Sequence, residues 1–80
     1  VGIVSGGAPE SAREAIAEGL DLFVTGDRSH EIYHECQEAG LNVLFGGHYA
    51  TEVYGVEALS RVTAQKTGLD TLFIDVPTGL

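Results

Sequence analysis

The feature that most constrains the fold of this chain is a short apolar run followed by glycine, which occurs three times. The runs lie at Val1–Val4, Leu22–Thr25 and Asn42–Phe45, and a glycine stands within two residues of the end of each. Apolar residues at helical spacing follow the turns, and these stretches stop at glycines, which suit the left-handed end of a helix. The pattern predicts strand, tight turn and helix, repeated along the chain.

The repeated unit indicates an α/β fold. The predicted helices cover residues 9–18, a stretch that ends before Gly40, and residues 50–67, and a fourth strand is expected at Thr71–Ile74. Strands that alternate with helices form right-handed βαβ crossovers, so we expect a parallel sheet of about four strands that is part of a larger α/β fold. Ligands of such sheets bind beyond the carboxyl ends of the strands, where the glycine turns lie.

Length and charge narrow the class of protein. Residues 1–80 suffice for a single α/β unit, and the start inside an apolar run indicates a segment of a longer parent protein. A net charge of −8 argues against nucleic acid as a partner, because a phosphate-binding face must be basic. No run approaches the roughly 20 apolar residues of a membrane span, and the single cysteine, Cys36, is expected to be a buried, small apolar side chain. We therefore expect a cytoplasmic protein that binds no membrane.

The stretch GGHYATE at residues 46–52 carries the strongest chemical signal. His48 and Glu52 stand four residues apart at the start of the third helix, so their side chains lie on one face and could share an ion. A neutral imidazole and a carboxylate suit Zn²⁺, Fe²⁺ or Mn²⁺. Gly46 and Gly47 before them would let the backbone approach the bound group closely.

The position of His48 and Glu52 on the helix bears on whether they bind a metal. On a helical wheel the two residues continue the apolar stripe of Val56 and Leu59, which is expected to face the sheet. Catalytic metal sites usually have three protein ligands, and only two are found here. The alternative interpretation is that His48 caps the strand and Glu52 stabilises the positive end of the helix dipole. Tyr49 beside the pair could donate to a ligand or serve only in packing.

A second candidate cluster consists of Asp27, His30 and His34, spaced three and four residues apart. If the second helix already began at Asp27, the three side chains would form one polar stripe and could hold a metal by themselves. In the alternative, Asp27 caps that helix, or it lies at the carboxyl edge of the sheet and faces the same cleft as His48.

The turn of Ser5, Gly6 and Gly7 precedes a helix and could bind an anion at the helix N-terminus. It lacks both the dinucleotide-binding glycine pattern and the lysine of a P-loop. The alternative is that the glycines only permit a tight turn.

Together, the motifs VSGG, TGD, GGHYATE and FIDVPT resemble the C-terminal part of the YbgI-like proteins, a dinuclear-metal family also known as GTP cyclohydrolase I type 2 homologues. The resemblance spans essentially all residues, and GHxxTE is its most specific element. It implies that His48 and Glu52 are metal ligands and that Asp27 lines the same cleft. Gly46, Gly47 and Tyr49 are expected to line this cleft because they stand next to the pair in the sequence. The resemblance also implies two divalent ions per parent protomer, with a His-His pair and an Asp supplied by an N-terminal part, and a homohexamer.

The function implied by the resemblance is that of a dinuclear metal-binding protein. Its activity would be hydrolase-like, and the group attacked on the small-molecule substrate would be a phosphate or a purine ring carbon. The alternative is a non-catalytic metal-binding or scaffold protein, since no general acid is evident and Arg28 is the only cation near the predicted edge. A plain α/β unit that binds nothing is the third hypothesis. It predicts that alanine at His48 and Glu52 leaves the metal content unchanged.

Overall fold

The computed structural model describes all residues, Val1–Leu80, and shows three parallel strands in the order β1-β2-β3. The elements in chain order are β1 (Gly2–Val4), α1 (Ala12–Ala17), β2 (Leu22–Thr25), α2 (His30–Ala39), β3 (Asn42–Phe45) and α3 (His48–Thr67). A 3-10 turn at Pro9–Ser11 leads into α1. The predicted α/β class with a parallel sheet is confirmed, and the second and third strands have the predicted bounds.

The register brings the carboxyl ends of all three strands to one level. Val4 at the end of β1 pairs with Thr25 at the end of β2, and Thr25 pairs with Phe45 at the end of β3. Because parallel strands point the same way, the three glycine turns that follow them lie side by side. The fold thus places three separate sequence motifs at one edge.

The core lies between one face of the sheet and the helices α1 and α2. Its fully buried members are Ala12, Ala15, Phe23, Ile32, Cys36 and Leu41. The prediction that Cys36 is buried is confirmed, since only 1% of it is exposed. Burial raises the pKa of this thiol and so keeps it in the unreactive protonated form.

Helix α2 begins at His30, whereas a metal site of Asp27, His30 and His34 required a helix that already began at Asp27. Its N-cap is Ser29, whose hydroxyl accepts a hydrogen bond from the Ile32 N–H at 3.3 Å. Asp27 therefore lies outside the helix, in the turn after β2. The predicted end at Gly40 is correct, and this glycine has the left-handed conformation, with φ 73°.

Helix α3 does not pack on the sheet, so the prediction that its apolar stripe faces the sheet is wrong. No residue of α3 is buried, and Val56 and Leu59 are 56% and 66% exposed. Only the first turn contacts the glycine turns; the rest of the helix extends away, which gives the molecule its dimensions of 50 × 25 × 13 Å. The face of the sheet opposite α1 and α2 is uncovered and exposes Ile3 and Leu44. No strand follows α3 in this chain.

The predicted fourth strand at Thr71–Ile74 does not form. A strand needs a backbone partner, and this segment has none: it runs beside α3, with Leu72 and Ile74 exposed. The next residues are attached to Tyr49 of α3, whose hydroxyl contacts the Asp75 carboxylate and accepts a hydrogen bond from the Val76 N–H at 3.0 Å. None of the helices combines the length and apolar character needed to cross a membrane.

Candidate metal centre

The three turns at the carboxyl edge are joined by backbone hydrogen bonds. The Asp27 N–H donates to the carbonyl oxygen of Gly6 at 2.9 Å, and the Gly47 N–H donates to that of Gly26 at 2.9 Å. The first of these bonds ties the turn after β1 to the turn after β2, and the second ties the turn after β2 to the start of α3. The side chains carried by the turns are therefore held in a common frame.

His48 lies between two carboxylates in this frame. Its Nδ1 is 3.0 Å from both Oδ1 and Oδ2 of Asp27, and its Nε2 is 3.3 Å from Oε2 of Glu52. About half of each side chain is exposed: 42% of His48, 41% of Asp27 and 51% of Glu52. The alternative that Asp27 faces the same cleft as His48 is the arrangement that the structure shows.

The two carboxylates set the charge state of the imidazole. The hydrogen bond to Asp27 is the main cause that raises the pKa of His48 above its usual value. Burial acts in the opposite direction, and the negative charges of Asp27 and Glu52 add to the rise. A protonated ring donates from both nitrogens, which fits a carboxylate on each side. When an ion replaces the proton on Nε2, Asp27 can still accept from the Nδ1 N–H.

Glycine is required in the first turn because the Glu52 side chain occupies the space that a side chain would fill. A Cβ atom on Gly6 would overlap the Glu52 carboxylate, and the φ of 68° at Gly6 also favours glycine. A Cβ on Gly7 would lie 3.1 Å from Oδ2 of Asp27 and 3.3 Å from Cε1 of His48. The glycines of VSGG thus admit the three polar side chains.

The same contacts bear on the anion-binding hypothesis for Ser5, Gly6 and Gly7. The Gly6 N–H, which an anion would need, donates to Oγ1 of Thr51 at 3.0 Å. The carboxylates of Asp27 and Glu52 lie against the glycines. Because negative groups already line this turn, the structure favours the alternative that the glycines serve a tight, closely packed turn.

Two cavities open beside Asp27 and Tyr49. The larger, about 600 Å³, is lined in part by Asp27, Gly46, Gly47 and Tyr49, the residues expected to line the cleft, and Arg28 is the only cation along it. The smaller, about 320 Å³, is lined by Asp27, His48, Tyr49, Glu52, Thr78 and Leu80. Asp27 and Tyr49 line both cavities, whereas His48 and Glu52 line only the smaller one and Gly46 and Gly47 only the larger one.

The cluster of Asp27, His30 and His34 does not form. His30 and His34 stack edge to face on α2 with ring centroids 5.3 Å apart, while Asp27 is bonded to His48. No three His, Cys, Asp or Glu side chains of the chain are arranged to hold a metal ion. His48 and Glu52 lie next to each other, with Nε2 and Oε2 3.3 Å apart.

Sequence reasoning did not find Thr51. This residue lies inside GGHYATE, but spacing gives no sign that its hydroxyl contacts a turn 45 residues earlier in the chain. The only sign of its role in the sequence was its presence in the GHxxTE motif.

The sequence profile of the family described as Duf34/NIF3 (NGG1p interacting factor 3) matches residues 1–79. The chain belongs to the Duf34/NIF3 family. A relative from Treponema pallidum (strain Nichols), named GTP cyclohydrolase 1 type 2 homolog, is 48% identical over 80 residues, which are 100% of this chain and 28% of the relative.

Solved structures of similar proteins share the fold. The structure of protein ybgI, described as of unknown function, has a TM-score of 0.90 at 38% identity and covers 95% of this chain and 31% of its own. The crystal structure of TTHA1606 from Thermus thermophilus has a TM-score of 0.84 at 44% identity, over 98% of this chain and 31% of its own. The resemblance to YbgI-like proteins is confirmed. This Duf34/NIF3 chain spans about 30% of the length of the proteins it matches.

Proposed function

We propose that His48 and Glu52 are two ligands of a dinuclear divalent-metal centre in the Duf34/NIF3 protein that contains this chain. The observation that carries the proposal is the distance of 3.3 Å between Nε2 of His48 and Oε2 of Glu52. Two donors that each lie about 2.1 Å from one tetrahedral ion are about 3.4 Å apart. The pair therefore fits one ion of the Zn²⁺, Fe²⁺ or Mn²⁺ type without rearrangement.

Asp27 has a different role in this centre. Its carboxylate faces Nδ1 of His48, on the side of the ring away from Glu52, and so cannot reach the same ion as Nε2. Metal-binding histidines commonly donate their second N–H to a carboxylate, which holds the ring in one orientation and makes the ligating nitrogen more basic. Asp27 is therefore a positioning residue for His48.

The remaining ligands come from outside these residues. The chain offers two donors, whereas two ions need more, and it corresponds to about 30% of the length of its relatives. The YbgI-like resemblance implies that a His-His pair and an Asp complete the centre and that each protomer holds two ions. This half-site explains why the two ligands are well placed and yet too few.

We further propose that the centre serves a hydrolase-like reaction on a small molecule. Divalent ions, when bound, polarise a substrate oxygen and make water more acidic. The residues of the chain contribute the space: the cavity of about 320 Å³ that is lined by both His48 and Glu52 lies within the size range of ordinary ligand pockets. Tyr49 gives it an aromatic wall, and the larger cavity, which Tyr49 also lines, carries one positive charge, that of Arg28.

A non-catalytic metal-binding or scaffold protein is the second candidate. It is favoured by the single cation along the larger cavity, Arg28, since a nucleotide triphosphate would need more positive charge. A metal-dependent turnover well above background would exclude this candidate.

We also propose that the parent protein is a homo-oligomer, a hexamer by its YbgI-like resemblance. Parallel sheets are normally covered on both faces. Here one face leaves Ile3 72% and Leu44 56% exposed, and the apolar side chains along α3 are exposed too. Other parts of the protein or further protomers would cover these surfaces.

The test is a calorimetric titration of the full-length protein with ZnCl₂ and MnCl₂. We expect that His48→Ala and Glu52→Ala each weaken binding at least about tenfold, because each removes a ligand. The matched control is the double variant His30→Ala, His34→Ala, which removes two exposed imidazoles outside the site. Unchanged binding in His48→Ala, or loss only in the double variant, would refute the proposed centre. Release of phosphate or ring opening that persists in His48→Ala would refute the hydrolase-like role.

A further inference from the structure

We infer that Thr51 is the positioning residue that fixes His48 and Glu52 against the turn after β1, an inference that rests on the proposed metal centre. The hydroxyl of Thr51 accepts a hydrogen bond from the Gly6 N–H at 3.0 Å and donates to the carbonyl oxygen of Gly47 at 2.8 Å. One side chain thus connects the turn after β1 to the start of α3. No other side-chain hydrogen bond joins these two segments.

The position of Thr51 in the chain makes this connection matter for the site. It precedes Glu52 directly and follows His48 by three residues, so it lies in the same helical turn as both ligands. Helix α3 has no buried residue that could orient it by packing. The direction of its first turn, and with it the position of the ligands, therefore depends on the bonds that this turn makes.

Both ends of the Thr51 side chain are tightly enclosed. A Cβ atom on Gly26 would lie 2.7 Å from Oγ1 of Thr51, and a Cβ on Gly46 would lie 2.9 Å from its Cγ2. Such distances are too short for real side chains, so glycine at both positions makes room for the threonine. The glycines of three different turns, Gly6, Gly26 and Gly46, thus surround one residue.

The consequence is a fixed geometry between the ligands and their supporting carboxylate. Asp27 is bonded through its N–H to the Gly6 carbonyl oxygen, and Thr51 is bonded to the Gly6 N–H. Gly6 is therefore the common neighbour of the turn that carries Asp27 and of the helix that carries His48. Loss of the Thr51 bond releases α3 from Gly6 and loosens the contact of His48 with Asp27.

The chain contains a matched control for this hydroxyl. Thr67 near the end of α3 also donates to the carbonyl oxygen four residues earlier, at 2.7 Å, and also accepts from a backbone N–H, that of Leu69 at 3.2 Å. It is exposed and lies at the other end of the helix from the ligands. Thr67→Val removes the same kinds of bond as Thr51→Val without touching the site.

The experiment compares Thr51→Val, Thr51→Ser and Thr67→Val in the full-length protein by titration with ZnCl₂. We expect Thr51→Val to weaken Zn²⁺ binding by about 10- to 100-fold, the range found for residues that support metal ligands. Thr51→Ser should stay within about threefold of the unaltered protein, because serine keeps the donor and the acceptor. Thr67→Val should bind as the unaltered protein does.

A second measurement does not depend on metal. In protein labelled with ¹⁵N-glycine, hydrogen exchange of the Gly6 amide should be faster in Thr51→Val than in Thr51→Ser, because only the serine still accepts from it. If Thr51→Val binds Zn²⁺ normally while His48→Ala does not, the inference is wrong and the metal centre stands. If the unaltered protein itself binds no Zn²⁺, the metal centre is wrong and the inference falls with it, whatever the exchange at Gly6. Equal exchange at Gly6 in all variants would also overturn the inference.

Discussion

Asp27 presents both of its carboxylate oxygens to a single nitrogen of His48, each at 3.0 Å from Nδ1. The two residues are 21 positions apart in the chain: Asp27 lies in the turn after β2, and His48 is the first residue of α3. The contact leaves the other ring nitrogen, Nε2, directed to Glu52. This relationship separates the roles of the two carboxylates, because Glu52 lies where an ion would bind and Asp27 lies behind the ring.

The raised pKa of His48 predicts how the metal-free protein responds to pH. The ordinary histidine pKa is about 6.5, and the Asp27 hydrogen bond raises it in the folded state. The stabilisation from the charged pair is therefore fully present below about pH 6.5 and is lost as the pH rises through the raised pKa. Urea unfolding of the unaltered protein and of His48→Gln at a series of pH values should show a difference that shrinks with rising pH. A difference that grows toward alkaline pH would contradict this assignment.

Replacement of Asp27 by asparagine tests its role as a support of His48. Asp27→Asn removes the negative charge that favours the imidazolium and leaves only one neutral acceptor oxygen, so the pKa of His48 should fall, as an NMR titration of the ring would show. Zn²⁺ binding should weaken by about 10- to 100-fold, because a neutral amide supports the ligand ring less strongly than a carboxylate does. Asp70→Asn, which removes the same charge at an exposed position outside the site, is the control. If the two substitutions had equal effects, Asp27 would contribute only to the net charge of the protein and would not be a specific support of His48.

Gly6→Ala and Gly19→Ala separate backbone strain from the loss of space for Glu52. Both glycines have nearly the same positive φ, 68° and 67°, so each alanine should cost about 1–2 kcal/mol of folding free energy. A Cβ on Gly19 meets nothing within 4 Å, whereas a Cβ on Gly6 overlaps the Glu52 carboxylate. Gly6→Ala should therefore cost more in urea unfolding and should also weaken Zn²⁺ binding, which Gly19→Ala leaves unchanged. Equal binding by the two variants would show that Glu52 is not needed at this position.

Thr25, the last residue of β2, offers a test of stability that does not depend on metal. Its side chain is fully buried, and its hydroxyl oxygen has no hydrogen-bond partner. Thr25→Val replaces the hydroxyl by a methyl group of similar size, so the free energy of unfolding should stay the same or rise by up to about 1 kcal/mol. Thr25→Ser keeps the hydroxyl and removes a methyl group, so it should destabilise by about 1 kcal/mol. Clear destabilisation by valine would indicate that the hydroxyl has a partner in the parent protein.

Much of the local structure was predictable from the sequence, for reasons that lie within a few residues. Strand β3 and the end of α2 were predicted correctly because β-branched and apolar runs favour strands and a glycine at a helix end accepts positive φ. The pairing of His48 with Glu52 was predicted because residues four apart share a helix face. The burial of Cys36 followed from the same helical periodicity.

Predictions that depended on the spatial neighbours of a helix or strand were less accurate. Thr71–Ile74 has the composition of a strand, but a strand forms only when a neighbour supplies hydrogen bonds, and here the segment lies beside α3. The apolar stripe of α3 has the spacing of a packed helix, but nothing in this chain covers it. Asp27 was placed correctly only in the alternative that relied on the carboxyl edge of the sheet.

The sequence by itself determined the three strand–turn–helix units, the glycines of the turns and the spacing of His48 and Glu52, because all of these are set by contacts within one or two turns of chain. Only the tertiary structure decided that Asp27 meets His48, that Thr51 meets Gly6 and that α3 leaves the sheet. The reason is that parallel strands bring residues far apart in the chain to one edge, and their register determines which side chains come within hydrogen-bond distance.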